Sequence, residues 1–156
     1  MRGHVPTLSM APVVITREFQ FDAAHRILGH RGQCAWLHGH SYRIAVTVEA
    51  PELDALGMVM DFERLGCIVR AAIVDRWDPA ALLSRADPLA TAIAGIQAEA
   101  PERLVLFAEN PTAEVLSQEA FHTIAKPLPE GITPTSVTVW ETSNCRSEYR
   151  RADAGD

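Results

Sequence analysis

The 156-residue sequence predicts a single α+β domain, on three observations. Residues 13–21, 39–50 and 136–142 alternate apolar and polar side chains as half-buried strands do. Apolar residues recur at helical spacing after Asp61 and again after Pro111. The composition, 47% hydrophobic and 22% charged, is that of a globular chain, long enough for one domain with a proper core.

Residues 1–12 read as an irregular arm, which leaves 13–156 as the domain. In the first strand, 13–21, Ile15, Phe19 and Phe21 share one face, and Thr16, Glu18 and Gln20 the other. A loop spans residues 22–37. Strand 39–50 turns Tyr42, Ile44, Val46 and Val48 one way and Arg43, Thr47 and Glu49 the other. Residues 51–57 are turn-like. Asp61 is a good helix N-cap, and Phe62, Leu65, Val69, Ala72 and Ile73 predict a helix to about Trp77. Asp87-Pro88 looks like a second cap, and residues 89–100 are a short helix or an insertion. Residues 104–108 form a short strand. Asn110-Pro111 repeats the cap-plus-proline pattern and opens a helix to about Ala125, ended by Pro127, Pro129 and Gly131. In the last strand, 136–142, Val137, Val139 and Glu141 share a face. The order is strand, strand, helix, minor helix, strand, helix, strand, without internal repeats.

The formal net charge is −6 and no run of Lys and Arg stands out, which argues against a nucleic-acid or anionic-membrane partner. A small anionic substrate held by a few local cations remains compatible. Three cysteines make no disulfide framework and suit a reducing compartment. With no signal-peptide pattern and no membrane-spanning run, the expected location is cytoplasmic.

The chemistry concentrates around the loop between the first two strands. A loop that long within a small domain is usually functional or disordered, and flanking histidines favour function. His38 and His40 are two apart on a strand, so they project to the same face, close enough to share an ion. Gly39 between them has no side chain to crowd the site. His25, just after the first strand, would lie beside them. Three neutral imidazoles with an open fourth position make a zinc site of the catalytic type. A lone histidine is more often a packed or surface residue, and a His-x-His pair alone is a weak signal; the third histidine and nearby Cys34 strengthen it. Cys34 is a fourth zinc ligand, a base or nucleophile beside the metal, or simply a small buried hydrophobe. Cys67 fits the buried-hydrophobe reading, inside an amphipathic helix; Cys145 lies in a polar loop. Glu141 sits on the apolar phase of its strand, so it is either salt-bridged or hydrogen-bonded by a ligand. A carboxylate there suits a guanidine-like edge, since two oxygens accept two parallel N–H bonds.

These residues carry a resemblance. Phe21-Asp22-Ala23-Ala24-His25, followed by Cys34-Ala35-Trp36-Leu37-His38-Gly39-His40-Ser41-Tyr42, resembles the 6-pyruvoyltetrahydropterin synthase family. The Cys-to-His spacing is most similar to its bacterial branch, the 6-carboxytetrahydropterin synthases of queuosine biosynthesis. Val59-Met60-Asp61-Phe62, Asn110-Pro111-Thr112-Ala113-Glu114 and Val137-Thr138-Val139-Trp140-Glu141-Thr142 agree in order, so the resemblance spans roughly residues 13–150. It implies a tunnelling fold (T-fold): a four-stranded antiparallel sheet with two main helices on one face, assembling into a barrel. It implies homohexamers made of two trimers, with 7,8-dihydroneopterin triphosphate bound between subunits. It further implies Zn2+ on His25, His38 and His40, a pterin anchor at Glu141 and Thr142, and Cys34 as the base, with Asp78 from the family's Asp-His pair. Metal polarisation of the side-chain hydroxyls with a thiolate moving protons is chemically coherent.

The sequence departs from the family at that pair. Trp77-Asp78-Pro79 keeps the aspartate and places a proline where the histidine stands, and the asparagine usual a few residues on is Ser84. Proline carries no titratable group. His122 falls in a later helix, and nothing in the sequence places His30. The expectation is therefore a zinc-dependent pterin synthase-like lyase with an altered or reduced reaction. The alternatives are a non-catalytic or repurposed zinc- and pterin-binding protein and, third, a purely structural zinc.

Overall fold

The first two strands form one long hairpin. The structure, a computed structural model, describes residues 13–152, so the arm expected at residues 1–12 lies outside the described residues. Strand β1 (Val14–His25) and strand β2 (His38–Glu49) pair antiparallel from Val14↔Glu49 to His25↔His38. β1 thus runs past the expected end at Phe21. Asp22 and Ala24 keep alternating with Ala23 and His25, and every one of these residues finds a partner on β2. The loop shrinks to residues 26–37 and contains a 3-10 turn, Gln33–Ala35.

Asp61 caps α1 (Phe62–Val69) as expected, its carboxylate accepting from the Glu63 and Arg64 N–H groups at 2.8 and 3.0 Å. The helix continues through a π-helical stretch, Arg70–Val74, into α2 (Asp75–Trp77). Leu65, Val69 and Ile73 are buried, whereas Phe62 and Cys67 are exposed. The reading of Cys67 as a buried small residue is corrected, because it lies off the buried stripe.

Strand β3 (Ala80–Ser84), a stretch to which the sequence pattern assigns no element, follows directly. It runs parallel to the end of β1, Ala23↔Ala80 to His25↔Leu82. Helix α3 (Pro88–Ile96) starts at Asp87, whose side chain accepts from Leu89 N–H at 2.8 Å. It leads through a 3-10 turn, Pro101–Arg103, to β4 (Leu104–Phe107), parallel to β3. Helix α4 (Ala113–Ala125) ends as expected, but Thr112 is its cap in place of Asn110, its hydroxyl accepting from Val115 N–H at 3.3 Å. Strand β5 (Thr133–Trp140) starts earlier than expected and ends before Glu141. A sixth strand, β6 (Arg146–Arg150), pairs antiparallel with it.

The sheet order is β4-β3-β1-β2-β5-β6. The four antiparallel strands of the expected T-fold are β1, β2, β5 and β6, and β3 and β4 extend the sheet to six with parallel pairs. One sheet face packs Phe19, Phe21, Tyr42, Ile44, Val46, Val137 and Val139 against Leu65, Val69 and Ile73 and against Leu116, Ala120 and Ile124 of α4. The other face of the antiparallel strands exposes Glu18, Gln20, Arg146 and Glu148. Among the described residues no helix is long and apolar enough to cross a membrane.

Candidate metal centre

Strand periodicity and hairpin register assemble the site. His25 is the last residue of β1 and faces His38 directly across the hairpin, while Ala23 faces His40. All three histidines project to the helix-covered face, in phase with Tyr42. Their ligand atoms lie within 4.8 Å of one another, the one such group of histidine, cysteine and carboxylate ligands found among the described residues. Gly39 lets the strands approach here, since a Cβ at that position would stand 3.3 Å from the Ala23 carbonyl oxygen.

Hydrogen bonds fix which nitrogens are free. His25 Nδ1 is 2.8 Å from the Pro111 carbonyl oxygen and His38 Nδ1 is 2.7 Å from that of Trp36. A carbonyl only accepts, so both Nδ1 atoms carry the proton and donate. In the neutral rings the lone pairs are then on Nε2, and the two Nε2 atoms face each other at 3.0 Å. Two lone pairs so close repel unless a cation lies between them. A shared proton is one choice, but burial pushes the His25 pKa down against the charged ring, outweighing the help from the Pro111 carbonyl and the Glu141 charge. Burial lowers the pKa of His40 as well. A metal ion suits the arrangement: tetrahedral Zn2+ with Zn–N bonds of about 2.0–2.1 Å spaces its nitrogens by about 3.3 Å. The Nδ1–H···O=C bonds are the outer support that metal-binding imidazoles characteristically have. The donor set therefore fits zinc.

Glu141 stands beside the cluster, just past β5. Its Oε1 is 3.8 Å from His25 Nε2, its side chain is 27% exposed, and no Lys or Arg lies within ion-pair distance among the described residues. Its one ion-pair contact among the described residues is to the His25 imidazole. The other expected site residues fall outside the group of three imidazoles. Cys34 is half-buried in the 3-10 turn and is not among the clustered ligands, and its carbonyl accepts from Ile27 N–H at 2.7 Å. Asp78 accepts from Asp22 N–H at 3.3 Å and precedes Pro79 through a cis peptide bond. Thr142 is exposed, its hydroxyl donating to Asn144 Oδ1 at 3.0 Å. An open cavity of about 1090 Å³ brings His40, Pro79 and Asp22 together with Leu37, Ile93 and Arg103.

Sequence reading missed the frame around His25. Arg26 forms a bidentate ion pair with buried Asp87, tying the end of β1 to the start of α3. The Asn110 amide brackets Leu28, accepting from its N–H and donating to its carbonyl, both at 2.9 Å. With the Pro111 carbonyl on the His25 ring, three contacts tie residues 25–28 to segments far along the chain. The cap pattern at Asp87 and the Asn110-Pro111 pair were the only sequence signals, and neither names its distant partner.

Comparison with known proteins follows the same outline. The model of a family described as 6-pyruvoyl tetrahydropterin synthase matches residues 14–152. The 6-carboxy-5,6,7,8-tetrahydropterin synthase of Rickettsia bellii is 32% identical over 132 residues, covering 83% of this chain and 94% of that protein. The protein of the same name from Haemophilus influenzae is 31% identical over 140 residues, covering 87% and 97%. Among solved structures, an uncharacterized protein of Wolinella succinogenes superposes with a TM-score of 0.77 at 23% identity, over 91% of this chain and 99% of the other. Caenorhabditis elegans 6-pyruvoyl tetrahydropterin synthase gives a TM-score of 0.65 at 20% identity, over 92% and 98%. The structural likenesses concern the fold.

Proposed function

Because this chain belongs to the 6-pyruvoyl tetrahydropterin synthase family, we propose that it is a zinc-dependent lyase acting on 7,8-dihydroneopterin triphosphate or a related dihydropterin. The product is a 6-carboxy- or 6-pyruvoyltetrahydropterin, the former suggested by the names of the relatives. The observation that carries this reading is the pair of Nε2 atoms at 3.0 Å, both with their protons committed to carbonyls on the far side of the ring, beside the Glu141 carboxylate. His25, His38 and His40 would hold the ion, which when bound supplies a Lewis acid for a substrate hydroxyl. Glu141, with Thr142 beside it, would accept paired N–H bonds from the pterin ring and set its orientation. Cys34 would take a proton as the thiolate, with Asp78 as its partner in proton handling. By the family resemblance, the reading includes a homo-oligomer, a hexamer of two trimers, with substrate between subunits. A cytoplasmic location goes with it.

The test is incubation of the zinc-loaded protein with 7,8-dihydroneopterin triphosphate and related dihydropterins, with products identified by mass spectrometry. Failure to turn over any of them would overturn the proposal.

Pro79 favours a second reading, a non-catalytic or repurposed zinc- and pterin-binding protein. Next to Asp78, where the resemblance calls for a titratable ring, the chain has none, and a positioned acid–base group is worth roughly 10²- to 10⁴-fold in rate. The Pro79→His variant separates the two. A gain in synthase activity marks a lost function; no gain marks a different chemistry.

A further inference from the structure

Tyr42 is wholly buried, and its hydroxyl has no hydrogen-bond partner among the described residues. A hydroxyl removed from water and left unpaired is destabilising, and native proteins rarely keep one without a use. The ring cannot swing away to find water. It stacks on Phe21 at 4.9 Å with an interplanar angle of 7°, and His25 and His40 stand edge-on to it at 5.8 and 5.3 Å.

A candidate acceptor follows from the register. Arg43↔Trp140 is the last pair between β2 and β5, and one step further sets Tyr42 opposite Glu141, on the face that carries the histidines. The charge of Glu141 is felt by the Tyr42 hydroxyl as well as by His25 and His40. In the structure the carboxylate leans toward His25 Nε2 at 3.8 Å, and the hydroxyl is left alone. A carboxylate so near the imidazole nitrogens also competes for the coordination position that a substrate oxygen would need.

We propose that Tyr42 is a positioning residue: its hydroxyl donates a hydrogen bond to Glu141, directly or through one enclosed water, holding the carboxylate off the metal position and turned toward the ligand. This rests on the metal and pterin reading given above. The tether explains a hydroxyl in an otherwise apolar row, and it acts through Glu141 without touching substrate.

A double-mutant cycle on the zinc-loaded protein tests it, with Tyr42→Phe and Glu141→Met. Phe keeps the ring stack, and Met keeps the length of Glu141 but removes its acceptors. Tyr42→Phe is expected to lower Tm in the wild-type background and to leave it unchanged in the Glu141→Met background. Equal shifts in both backgrounds, or a rise in both, overturn the proposal. Binding of 7,8-dihydroneopterin, followed by its fluorescence, is the second readout. Tyr42→Phe should weaken it roughly 10-fold, the lower end of outer-shell effects, with zinc content unchanged. An unchanged Kd overturns the proposal. A wild-type protein that binds zinc but no dihydropterin defeats the functional reading instead, and the Tm cycle still decides the tether.

Discussion

Replacing Asp87 with Asn is expected to loosen the frame that holds His25. The Asp87 side chain is 1% exposed and takes two N–H groups from the Arg26 guanidinium, the Nε contact at 2.6 Å. Its Oδ1 also accepts from Leu89 N–H at 2.8 Å and caps α3. Asn keeps one oxygen, enough for the cap, so the capping contribution of about 1 kcal/mol is retained. The charge is lost, and one of the two acceptors facing Arg26 becomes a donor. Breaking a fully buried pair costs about 3–5 kcal/mol. Arg26 is 23% exposed, so water recovers part of that. A hydrogen bond to a charged group contributes about 1.5–3 kcal/mol, and a loss of about 2 kcal/mol is the expected result. For a domain of this size that lowers Tm by about 4–8 °C. Thermal and urea unfolding at pH 7, monitored by circular dichroism, measure it. The pH dependence is a stricter check. The Arg26 hydrogen bonds hold the Asp87 carboxyl below its ordinary value, so the unfolded chain takes up the proton first as pH falls. The stabilisation is complete above the ordinary aspartate value of about 4 and is lost as pH drops through the lower folded value. The gap between wild type and Asp87→Asn should therefore close under acid. A Tm change below about 1 °C at pH 7, or a gap indifferent to pH, would refute the reasoning.

Three other outcomes are expected. His38→Ala should take zinc content from one ion per chain to a small fraction, with an affinity loss above the roughly 10- to 100-fold of an outer-shell change; chelator competition and elemental analysis measure it. Gly39→Val should drive a side chain against the Ala23 carbonyl, which a Cβ alone already meets at 3.3 Å, and force β1 and β2 apart. A stability loss of about 1–3 kcal/mol with reduced zinc content is expected, and retention of both would contradict the close-approach argument. Thr112→Ala removes the cap of α4 and should cost about 1 kcal/mol while leaving zinc content intact; lost zinc would mean that the cap also places the Pro111 carbonyl.

What could be read from the sequence follows from which interactions are local. Two strand residues at i and i+2 share a face whatever else happens, so His38 and His40 were placed together by periodicity alone. The same rule put them in phase with Tyr42 and Ile44, and the hairpin register then brought His25 opposite His38. Caps are local too, and Asp61 and Asp87 behave as their sequence patterns indicate. The errors fall where the deciding partner is distant. β3, Ala-Ala-Leu-Leu-Ser, has no alternation because Ala80, Leu82, Leu83 and Ser84 are buried together in a parallel arrangement. A short apolar run of that kind carries no period-2 signal. β6, Arg-Ser-Glu-Tyr-Arg, is too charged to resemble a core strand and is held by β5 at the sheet edge. Asn110 matches a helix cap, but its amide is engaged by Leu28, and Thr112 takes the capping role.

The site divides in the same way. The face on which the three histidines gather is a short-range property of one hairpin and was legible. The parts that orient it were not: the Pro111 carbonyl, the Arg26–Asp87 pair and the Tyr42–Glu141 juxtaposition each join residues more than fifty positions apart. This has a consequence for Pro79. It lies two residues from Asp78's predecessor Trp77, whose ring packs edge-on to Phe21 and Phe107, so the backbone that presents Pro79 is anchored in the core. A histidine at position 79 would stand at the rim of the cavity that His40 also lines. Restoring a titratable group there changes the chemistry of the rim. That is why Pro79→His bears on a missing proton relay, whereas substitutions at Asp87 or Gly39 act on the frame.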